Sequence, residues 1–305
     1  MKIYVPPIKC QGIKTKLVQW IKEHAETPFH GRWIEPFTGS GVVGFNVRPA
    51  IAVFSDINPH IINFYNAIKN GHVTAAKAKG FLEKEGILLT QKGESHYYEV
   101  RDRFNAMHDP FDFLFLSRAC FNGVIRFNKK GRYNVPFGHK PERFAKAYVT
   151  KITNQIKYVE SAIKQYDWTF VCADFRAVLQ EVRGHDFLYC DPPYIGRHTD
   201  YYNSWSDKDE EELFHQLSIT PAKFILSTWH SNKYRHNALL EKHATRFTVL
   251  TKEHFYHVGA NEDNRNAMLE AIVLNYSSDV LDQINENTIE KATQLHLLEE
   301  RAAYK

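Results

Sequence analysis

The sequence predicts an α/β fold: an open sheet with helices on both faces, interrupted by an inserted, mainly helical region. Two observations lead to this prediction. Apolar runs of strand length end at polar residues near positions 35, 56, 174 and 191, as expected for buried strands of such a sheet. Between residues 71 and 165 the apolar residues follow a helical spacing instead. We therefore expect one domain built from 1–70 and 166–280, with 71–165 inserted as a second domain.

Length and composition place few limits on function. The 305 residues are 43% hydrophobic, enough for the core of one large domain or of two. The net charge of +4 and the pI near 8.7 are compatible with a polyanionic partner but do not establish one. Cys10, Cys120, Cys172 and Cys190 form no Cys-x-x-Cys pair, which favours a reducing compartment over a zinc site or disulfide framework. Since no apolar stretch reaches membrane-spanning length, we expect a cytoplasmic protein without a membrane anchor.

A glycine-rich turn follows the first predicted strand, in the pattern Phe37-x-Gly39-x-Gly41. Its glycines let the backbone approach a ligand closely. The second predicted strand ends at Asp56, where a carboxylate can accept hydrogen bonds from both hydroxyls of a ribose. The third glycine of a dinucleotide-binding turn is missing. The turn alone is weak evidence, but together with Asp56 it indicates a site for a nucleoside.

The inserted region carries a predicted β-hairpin. Residues 121–138 alternate aromatic and polar side chains around the turn Lys129-Lys130-Gly131, which is typical of a hairpin. Its basic and amide side chains are of the types that bind phosphates and base edges. The hairpin is therefore a candidate to enter a groove of DNA, although a solvated basic hairpin explains the local pattern equally well. The candidate DNA-binding residues are Asn122, Arg126, Asn128, Lys129, Lys130, Arg132, Asn134, His139 and Lys140.

The sheet is expected to resume after the insertion. Asp174 and Phe175 follow the strand predicted over 168–172 and could together hold an adenine ring. Residues 195–205 form a polar, aromatic loop that is long enough to cover a bound base. The histidines towards the end of the chain lack metal-ligand spacing, so no metal site is predicted. The remaining predictions are strands over 223–228 and 270–276, the second of which closes the sheet, and a helical tail over 281–305.

The strongest chemical signal is Asp191-Pro192-Pro193-Tyr194, which follows the predicted buried strand 187–190. Ligands of open α/β sheets bind beyond the carboxyl ends of the strands, and the two prolines hold the chain extended there. The carboxylate of Asp191 and the carbonyl of Pro192 could accept hydrogen bonds from an exocyclic amine, while the ring of Tyr194 could stack on a planar base. A rigid surface turn is the alternative for this motif alone; the other motifs favour the amine site.

Taken in order, these motifs resemble the Dam-like (alpha-group, D12 class) adenine-N6 DNA methyltransferases. The resemblance spans about Val5 to Tyr276 and is most specific in the stretches 6–9, 118–123, 191–198 and 252–259. It implies a Rossmann-like methyltransferase sheet that binds S-adenosylmethionine (SAM), with an inserted target-recognition domain. The residues expected to contact the cofactor are Cys10, Lys14, Phe37, Gly39, Gly41, Asp56, Asp174, Phe175 and Asp191. Many members of the family have tryptophan at the position of Cys10.

The same resemblance implies the reaction and its partners. A target adenine would be flipped out of double-stranded DNA and stacked on Tyr194, with Asp191, Pro192, Pro193 and Tyr194 as the catalytic residues. No metal is required, because the sulfonium of SAM is already an activated leaving group. The implied target is GATATC, methylated at N6 of the first adenine. The enzyme would be a monomer of a type II restriction-modification system, whose endonuclease acts on the same site without forming a complex with it.

Two other functions remain open from the residues themselves. Tetrapeptides related to Asp191-Pro192-Pro193-Tyr194 act on other planar amines, so the substrate could be cytosine N4, RNA or a protein amide. Aspartate rather than asparagine at position 191, together with the large insertion, favours DNA adenine. A non-catalytic DNA-binding protein that retains the cofactor fold is the other alternative, but the motifs are complete.

Overall fold

The fold is described from a computed structural model that covers residues 2–25, 27–194, 205–233, 235–255 and 267–277. The helices are α1 (Val18–His24), α2 (Val42–Val47), α3 (Pro59–Lys69), α4 (Ala75–Lys92), α5 (Glu94–Met107), α6 (Pro110–Ala119), α7 (Lys146–Gln165), α8 (Phe175–Gln180), α9 (Asp207–Ile219) and α10 (Ala238–His243). The strands are β1 (Trp33–Glu35), β2 (Ile51–Asp56), β3 (Asp167–Cys172), β4 (Phe187–Cys190), β5 (Lys223–Asn232), β6 (Thr248–Phe255) and β7 (Ala267–Leu274). None of the helices in these ranges is both long and apolar enough to cross a membrane. The predicted tail over 281–305 and residues 195–204 of the predicted loop lie outside the described residues.

Seven strands form one mixed sheet in the order β3-β2-β1-β4-β5-β7-β6. The first five are parallel, and β7 runs antiparallel to β5 and to β6. The chain moves outward from β1 to β2 and β3 on one side, then returns to β4 and continues to β5 on the other. Such a reversal opens a crevice at the carboxyl ends of the two central strands, where ligands of α/β sheets bind. The predicted α/β fold class is confirmed.

Helices cover both faces of the sheet because successive strand residues point to opposite sides. Trp33 of β1 and Tyr189 of β4 belong to one hydrophobic core, which also receives α1 to α7. The adjacent residues Ile34 and Leu188 belong to a second core, which is closed by α9 and α10. All four residues are almost fully buried. The central strands are therefore covered on both sides, as their continuous apolar sequences indicate.

The insertion is helical, as predicted. The helical spacing predicted between residues 71 and 165 corresponds to α4, α5, α6 and α7. These helices contribute to the same hydrophobic core as α2 and α3. The described residues thus form a continuous core between the sheet and the insertion, and the division into two domains stays a prediction.

The end of the sheet differs from the prediction. The strand predicted over 270–276 is present as β7, but it does not close the sheet, because it lies between β5 and β6. β6 forms the edge and was not predicted. Its central residues Thr251, Lys252 and Glu253 are polar and exposed, so the apolar alternation that identifies a half-buried strand is weak there.

The predicted hairpin is present only in an irregular form. The chain reverses at Lys129-Lys130-Gly131, but the described residues make two isolated antiparallel bridges, Cys120 to Phe137 and Phe127 to Tyr133, instead of a regular ladder. The backbone of Tyr133 bonds to a helix side chain: its N–H donates to Oδ1 of Asn105 (2.7 Å) and its carbonyl accepts from Nδ2 (3.0 Å). These two groups point away from Phe127, because the hydrogen bonds between the two arms run between Asn128 and Arg132 and between Asn134 and Arg126, and α5 satisfies them instead.

Gly86 sets how closely α4 packs against the short 3-10 helix Pro141–Phe144. A Cβ at Gly86 would lie 2.6 Å from the Cβ of Phe144. We therefore expect Gly86→Ala to lower the free energy of unfolding by about 1–3 kcal/mol, measured by urea denaturation. Gly80 is the matched control, because it lies in the same helix and a Cβ there meets no atom within 4 Å. Gly80→Ala should raise stability by about 0.5–1 kcal/mol; equal effects of the two changes would contradict the close contact.

Candidate active site

A cavity of about 250 Å³ lies at the carboxyl ends of β1, β2, β3 and β4. This is the crevice that the reversal between β1 and β4 creates. The predicted residues that line it are Cys10, Lys14, Phe37, Gly39, Asp56, Asp174, Phe175, Asp191, Pro192, Pro193 and Tyr194. Within the described ranges, no group of three or more His, Cys, Asp or Glu side chains is arranged to hold a metal ion. The fold thus brings motifs from distant parts of the sequence to one site.

Two glycines build the turn after β1. Gly39 (φ 48°) and Gly41 (φ 71°) both have left-handed backbone conformations, which favour glycine. A Cβ at Gly39 would meet no protein atom within 4 Å, whereas a Cβ at Gly41 would lie 2.7 Å from the ring of Phe45. Gly39 therefore leaves space on the cavity side of the turn. Gly41 is not part of the cavity wall; its role in the fold is to let the turn pack against α2.

Asp56 lies at the end of β2 and faces this turn. Its Oδ2 accepts a hydrogen bond from the backbone N–H of Gly39, and its Oδ1 accepts one from that of Asn58, both at 2.8 Å. Burial raises the pKa of Asp56 to about 6, although the two backbone hydrogen bonds oppose the rise. Each carboxylate oxygen has a second lone pair. Asp56 therefore has acceptor capacity for a ligand in the cavity that it lines.

Arg118 holds the N-terminal segment against the rest of the protein. Its Nε donates to the carbonyl of Pro7 (2.8 Å) and its Nη2 donates to Oε1 of Gln155 (2.7 Å). Burial lowers the pKa of Arg118 to about 10. The segment that follows Pro7 carries Cys10 and Lys14 to the cavity wall. Arg118 thereby fixes a part of the chain that has no regular secondary structure of its own.

An ion pair between the buried Lys14 and the partly buried Asp191 joins this segment to the Asp-Pro-Pro-Tyr motif. Nζ of Lys14 lies 2.7 Å from Oδ1 of Asp191, and the Lys14 side chain is only 5% exposed. The same Nζ lies 4.7 Å from the ring centroid of Tyr194 and donates to the carbonyl of Gly12 (3.1 Å). Burial raises the pKa of Asp191, with a smaller rise from Glu270, whereas Lys14 lowers it. Lys14, which the resemblance implied as a cofactor contact, is therefore a buried residue of the cavity wall.

Aromatic side chains form another part of the wall. The rings of Phe37, Phe175 and Trp205 contact one another with centroid distances of 5.3, 5.4 and 5.5 Å. Nε1 of Trp205 donates to Oε2 of the buried Glu210 at 2.6 Å. Trp205 was seen in the sequence only as the end of a loop, and Glu210 was not predicted at all. The pattern Ser-x-x-Asp just after Trp205 is a helix-start signal that could have placed this tryptophan beside α9.

Asp174 and Cys10 complete the predicted cofactor residues. Oδ1 of Asp174 accepts a hydrogen bond from the backbone N–H of Arg176 at the start of α8 (2.9 Å). The guanidinium of Arg176 lies 3.2 Å from the Asp174 carboxylate and also pairs with Asp209. Burial raises the pKa of the Cys10 thiol, so Cys10 presents a neutral group to the cavity. Asp174 therefore caps a helix in addition to lining the site.

Glu35, at the end of β1, is a buried acid that the sequence interpretation missed. It lines the cavity and is 2% exposed. Its Oε1 accepts a hydrogen bond from Nε1 of Trp33 at 2.9 Å. Burial raises the pKa of Glu35 to about 8, with a further rise from Asp191, whereas the bond from Trp33 lowers it. A charged residue at the end of an apolar strand was the available signal.

The predicted DNA-binding residues lie along the irregular hairpin and the segment that follows it. Most are exposed, but Arg126 and Asn134 are partly buried and bond to each other, with Nε of Arg126 2.9 Å from Oδ1 of Asn134. Oδ1 of Asn128 accepts from the backbone N–H groups of Lys130 (2.9 Å) and Arg132 (3.1 Å). The side-chain amides of Asn128 and Asn134 therefore form hydrogen bonds within the hairpin itself. Contact of the predicted residues with DNA stays a prediction.

Ile125, in the same hairpin, lines the cavity. Ile125 is buried, whereas the next residue, Arg126, is only partly buried. The alternation of side chains in a hairpin explains the arrangement, since adjacent residues point in opposite directions. The insertion therefore contributes directly to the wall of the site, which the sequence did not predict.

Comparison with known proteins gives the same family as the motifs. A sequence model of the D12 class N6 adenine-specific DNA methyltransferases matches residues 11–258. A DNA adenine methylase from Serratia marcescens is 31% identical over 259 residues, covering 78% of this chain and 90% of that protein. A DNA adenine methylase from Vibrio cholerae is 34% identical over 225 residues, covering 71% and 76% of the two chains. The type II methyltransferase M.MjaIII from Methanocaldococcus jannaschii is 28% identical over 249 residues, covering 73% and 83%.

The sheet with its cavity at the strand reversal, together with these matches, defines a methyltransferase. More specifically, the chain belongs to the D12 class of N6 adenine-specific DNA methyltransferases. Methyltransferases of this kind generally use SAM as the methyl donor. The non-catalytic alternative and the other planar amines considered from the sequence are less consistent with this membership.

Glu35 should make stability depend on pH. Its pKa is about 8 in the folded protein and near 4.5 when the chain is unfolded, so its contribution to stability is complete below pH 4.5 and is lost as the pH rises through 8. Glu35→Gln keeps an acceptor for Trp33 and removes this loss. Relative to wild type, the variant should gain stability with rising pH, reaching on the order of a few kcal/mol near pH 9 in urea denaturation.

Asp186 provides a control for which stability should change with pH in the opposite direction. Burial by itself would raise the pKa of Asp186, but hydrogen bonds and charge from Arg32 outweigh it and lower that pKa. Asp186→Asn should therefore lose stability relative to wild type at neutral pH and recover as the pH falls below about 4. If the wild-type and Glu35→Gln curves run parallel across the whole pH range, Glu35 is not protonated in the folded protein.

Proposed function

We propose that the protein is a site-specific DNA adenine-N6 methyltransferase of a type II restriction-modification system. The observation that carries the proposal is one cavity in which Asp191 and Tyr194 face the Gly39 turn and Asp56. Membership of the D12 class supports the reaction, and the similarity to a type II methyltransferase supports the restriction-modification assignment. We propose a monomer acting on double-stranded DNA, with a cognate endonuclease that needs no complex with it.

The residues of the cavity fit SAM as the cofactor. The open space above Gly39 allows a ligand to approach the backbone, and Asp56 has acceptors for the two ribose hydroxyls. Phe37 and Phe175 offer aromatic surface for the adenine ring, and Lys14 fixes the Asp191 carboxylate at the other end. When bound, the cofactor supplies a methyl group on a positively charged sulfur, which leaves as a neutral thioether. Cys10 and Asp174 complete the proposed cofactor residues that line the cavity, and Gly41 is proposed only through its part in the turn that carries Gly39.

The Asp-Pro-Pro-Tyr motif would activate the target amine. The N6 lone pair of adenine is delocalised into the ring, so methylation requires acceptors that let the nitrogen become pyramidal. Asp191 and the carbonyl of Pro192 would accept hydrogen bonds from the two N6–H groups, and Pro193 would hold the turn. As N6 gains the methyl group it loses one proton, and the Asp191 carboxylate stabilises the positive charge that develops before that proton leaves. Flipping the base onto Tyr194 costs a few kcal/mol, by order of magnitude.

The irregular hairpin is the proposed DNA-binding element. Lys129, Lys130, Arg132, His139 and Lys140 are exposed along it and would contact phosphates. Side chains of the types found at 122, 126, 128 and 134 read guanine and adenine edges, with a discrimination of about 1–3 kcal/mol for each good bidentate pair. Arg126 and Asn134 bond to each other. To contact a base, these side chains would have to break this bond or bind the base with their remaining polar atoms.

Removing two hairpin charges should weaken DNA binding at all sequences. Lys129→Ala with Lys130→Ala should reduce the slope of log K against log salt concentration by about one for each phosphate that the variant no longer binds, measured by fluorescence anisotropy. The SAM affinity should not change. The control replaces the exposed Lys79 and Lys84 of α4, which removes the same charge elsewhere. If the control weakens DNA binding equally, net charge and not the hairpin carries the effect.

We propose GATATC as the target, methylated at N6 of the first adenine. The proposal rests on the resemblance of the stretches 6–9, 118–123, 191–198 and 252–259 to the modification methyltransferase that accompanies the EcoRV restriction endonuclease. A monomer that acts on one flipped base needs no two-fold symmetry, so it can methylate the two strands of a palindrome in separate events. A hemimethylated site should therefore remain a substrate.

Plasmid DNA incubated with the enzyme and SAM should become resistant to an endonuclease that cleaves GATATC and remain sensitive to one that cleaves GATC. Asp191→Ala is the matched control and should protect no site, because loss of one preorganised polar group of this kind costs about a hundredfold to a thousandfold in rate. Circular dichroism would show that the variant is folded. Protection of every GATC would replace the proposed target, and wild-type protection by Asp191→Ala would disprove the role of the motif.

A further inference from the structure

Glu270 is a buried carboxylate at the site for which the motifs gave no role. It is 1% exposed and lies on β7, 76 residues after Tyr194 in the sequence. Its Oε2 accepts a hydrogen bond from the hydroxyl of Tyr194 at 2.6 Å, and both side chains are buried. A carboxylate is costly to bury unless it is hydrogen-bonded or paired. The bond to Tyr194 meets part of this cost beside the proposed target base.

The antiparallel direction of β7 explains how Glu270 reaches the site. Because β7 runs opposite to β5, its first residues lie at the edge where the parallel strands end. Glu270 pairs in register with Trp229 of β5, and the register shifts between Trp229 and Ser231. Ile272, two residues further along β7, points to the same face and packs in the core that contains Tyr189. Glu270 is therefore at the cavity end of this face.

The bond restrains the ring of Tyr194 from its far end. Pro193 restricts the backbone before the ring, Lys14 lies 4.7 Å from the ring centroid, and Glu270 binds the hydroxyl. Tyr194 also lines the cavity. A ring restrained in this way is in place before a base arrives, which avoids ordering it during the reaction.

We propose that Glu270 is a positioning residue for methyl transfer, because it fixes the Tyr194 ring on which the target adenine stacks. This inference rests on the proposed function. Glu270 does not line the cavity, so it acts on the target amine through Tyr194. Its negative charge also raises the pKa of Asp191. The hydrogen bond and the charge can be separated experimentally, because glutamine retains an acceptor and loses the charge.

The charge of Glu270 should be visible in the pH dependence of the reaction. It raises the pKa of Asp191, whereas Lys14 lowers it. The titratable groups that interact electrostatically with Asp191 are Lys14, Glu35, Tyr189, Cys190 and Glu270. Since only Glu270 changes in the glutamine variant, the acid limb of the rate profile should move to lower pH.

The test measures single-turnover methyl transfer from radiolabelled SAM to unmethylated plasmid DNA, together with the DNA dissociation constant. Tyr194→Phe and Glu270→Leu both remove the hydrogen bond and should lower the rate constant by about tenfold to a hundredfold, with the dissociation constant within about twofold of wild type. The double variant should be no slower than the slower single variant, because both changes remove the same interaction. Glu270→Gln should retain most of the rate at high pH and shift only the acid limb.

Glu85→Gln is the matched control, because Glu85 is equally buried, lies in the insertion and does not line the cavity. It should leave both the rate and its pH profile unchanged. Circular dichroism reports whether Glu270→Leu is folded, and Tyr194→Phe tests the same bond if it is not. Rates within about twofold of wild type for both variants that lack the bond overturn the inference while leaving the proposed function intact. A wild-type protein that transfers no methyl group to DNA overturns the proposed function itself.

Discussion

The ion pair between Lys14 and Asp191 is the interaction on which the site depends. It joins an N-terminal segment without regular structure to the turn that follows β4, and the Lys14 side chain in it is only 5% exposed. An ammonium group buried without its partner would be strongly destabilising. The N-terminal segment must therefore lie where it does for the Asp-Pro-Pro-Tyr turn to keep its charge balanced. Arg118 supports this arrangement by binding the carbonyl of Pro7.

The cavity carries less negative charge than the number of acidic residues at its strand ends suggests. Glu35, Asp56 and Asp191 end or follow neighbouring strands, and burial raises the pKa of each. Burial favours the protonated form of Glu35, and the charge of Lys14 offsets that of Asp191. The carboxylates of Asp56, in the cavity wall, and of Glu270, bonded to Tyr194, would complement the positively charged sulfur of the proposed cofactor. The balance of charges therefore suits the proposed ligand without leaving several unpaired carboxylates in one small space.

The sequence predicted those features that depend on local pattern. The Gly39 turn, Asp56 and the Asp-Pro-Pro-Tyr motif each follow an apolar strand, and the carboxyl ends of parallel strands share one edge of the sheet. The insertion helices were predicted because their apolar spacing is regular. Lys14 and Glu270 could not be identified in this way: one lies in a loop and the other on an antiparallel strand, and only the packing of distant segments brings them together.

The hairpin shows what a local sequence pattern cannot predict. Its alternation of aromatic and polar residues correctly predicted a chain reversal, but Tyr133 pairs with Phe127 only in an isolated bridge, and its outward-facing backbone groups bond to Asn105 of α5. This contact depends on the position of Asn105, which no hairpin rule contains. Ile125 of the same hairpin lines the cavity. The proposed DNA-binding residues and one residue of the cavity wall therefore belong to the same element.

The position of β7 also has a consequence during synthesis on the ribosome. β7 is the last of the described strands to be made, yet it lies between β5 and β6 in the sheet. A nascent chain that has emerged only as far as β6 already contains the glycine turn, Asp56 and the Asp-Pro-Pro-Tyr turn, but it lacks the strand that pairs with β6 and the Glu270 carboxylate that binds Tyr194. At elongation rates of about 5–20 residues per second, this incomplete state lasts for seconds. The order of translation thus delays assembly of the site until almost all of the described chain has been released.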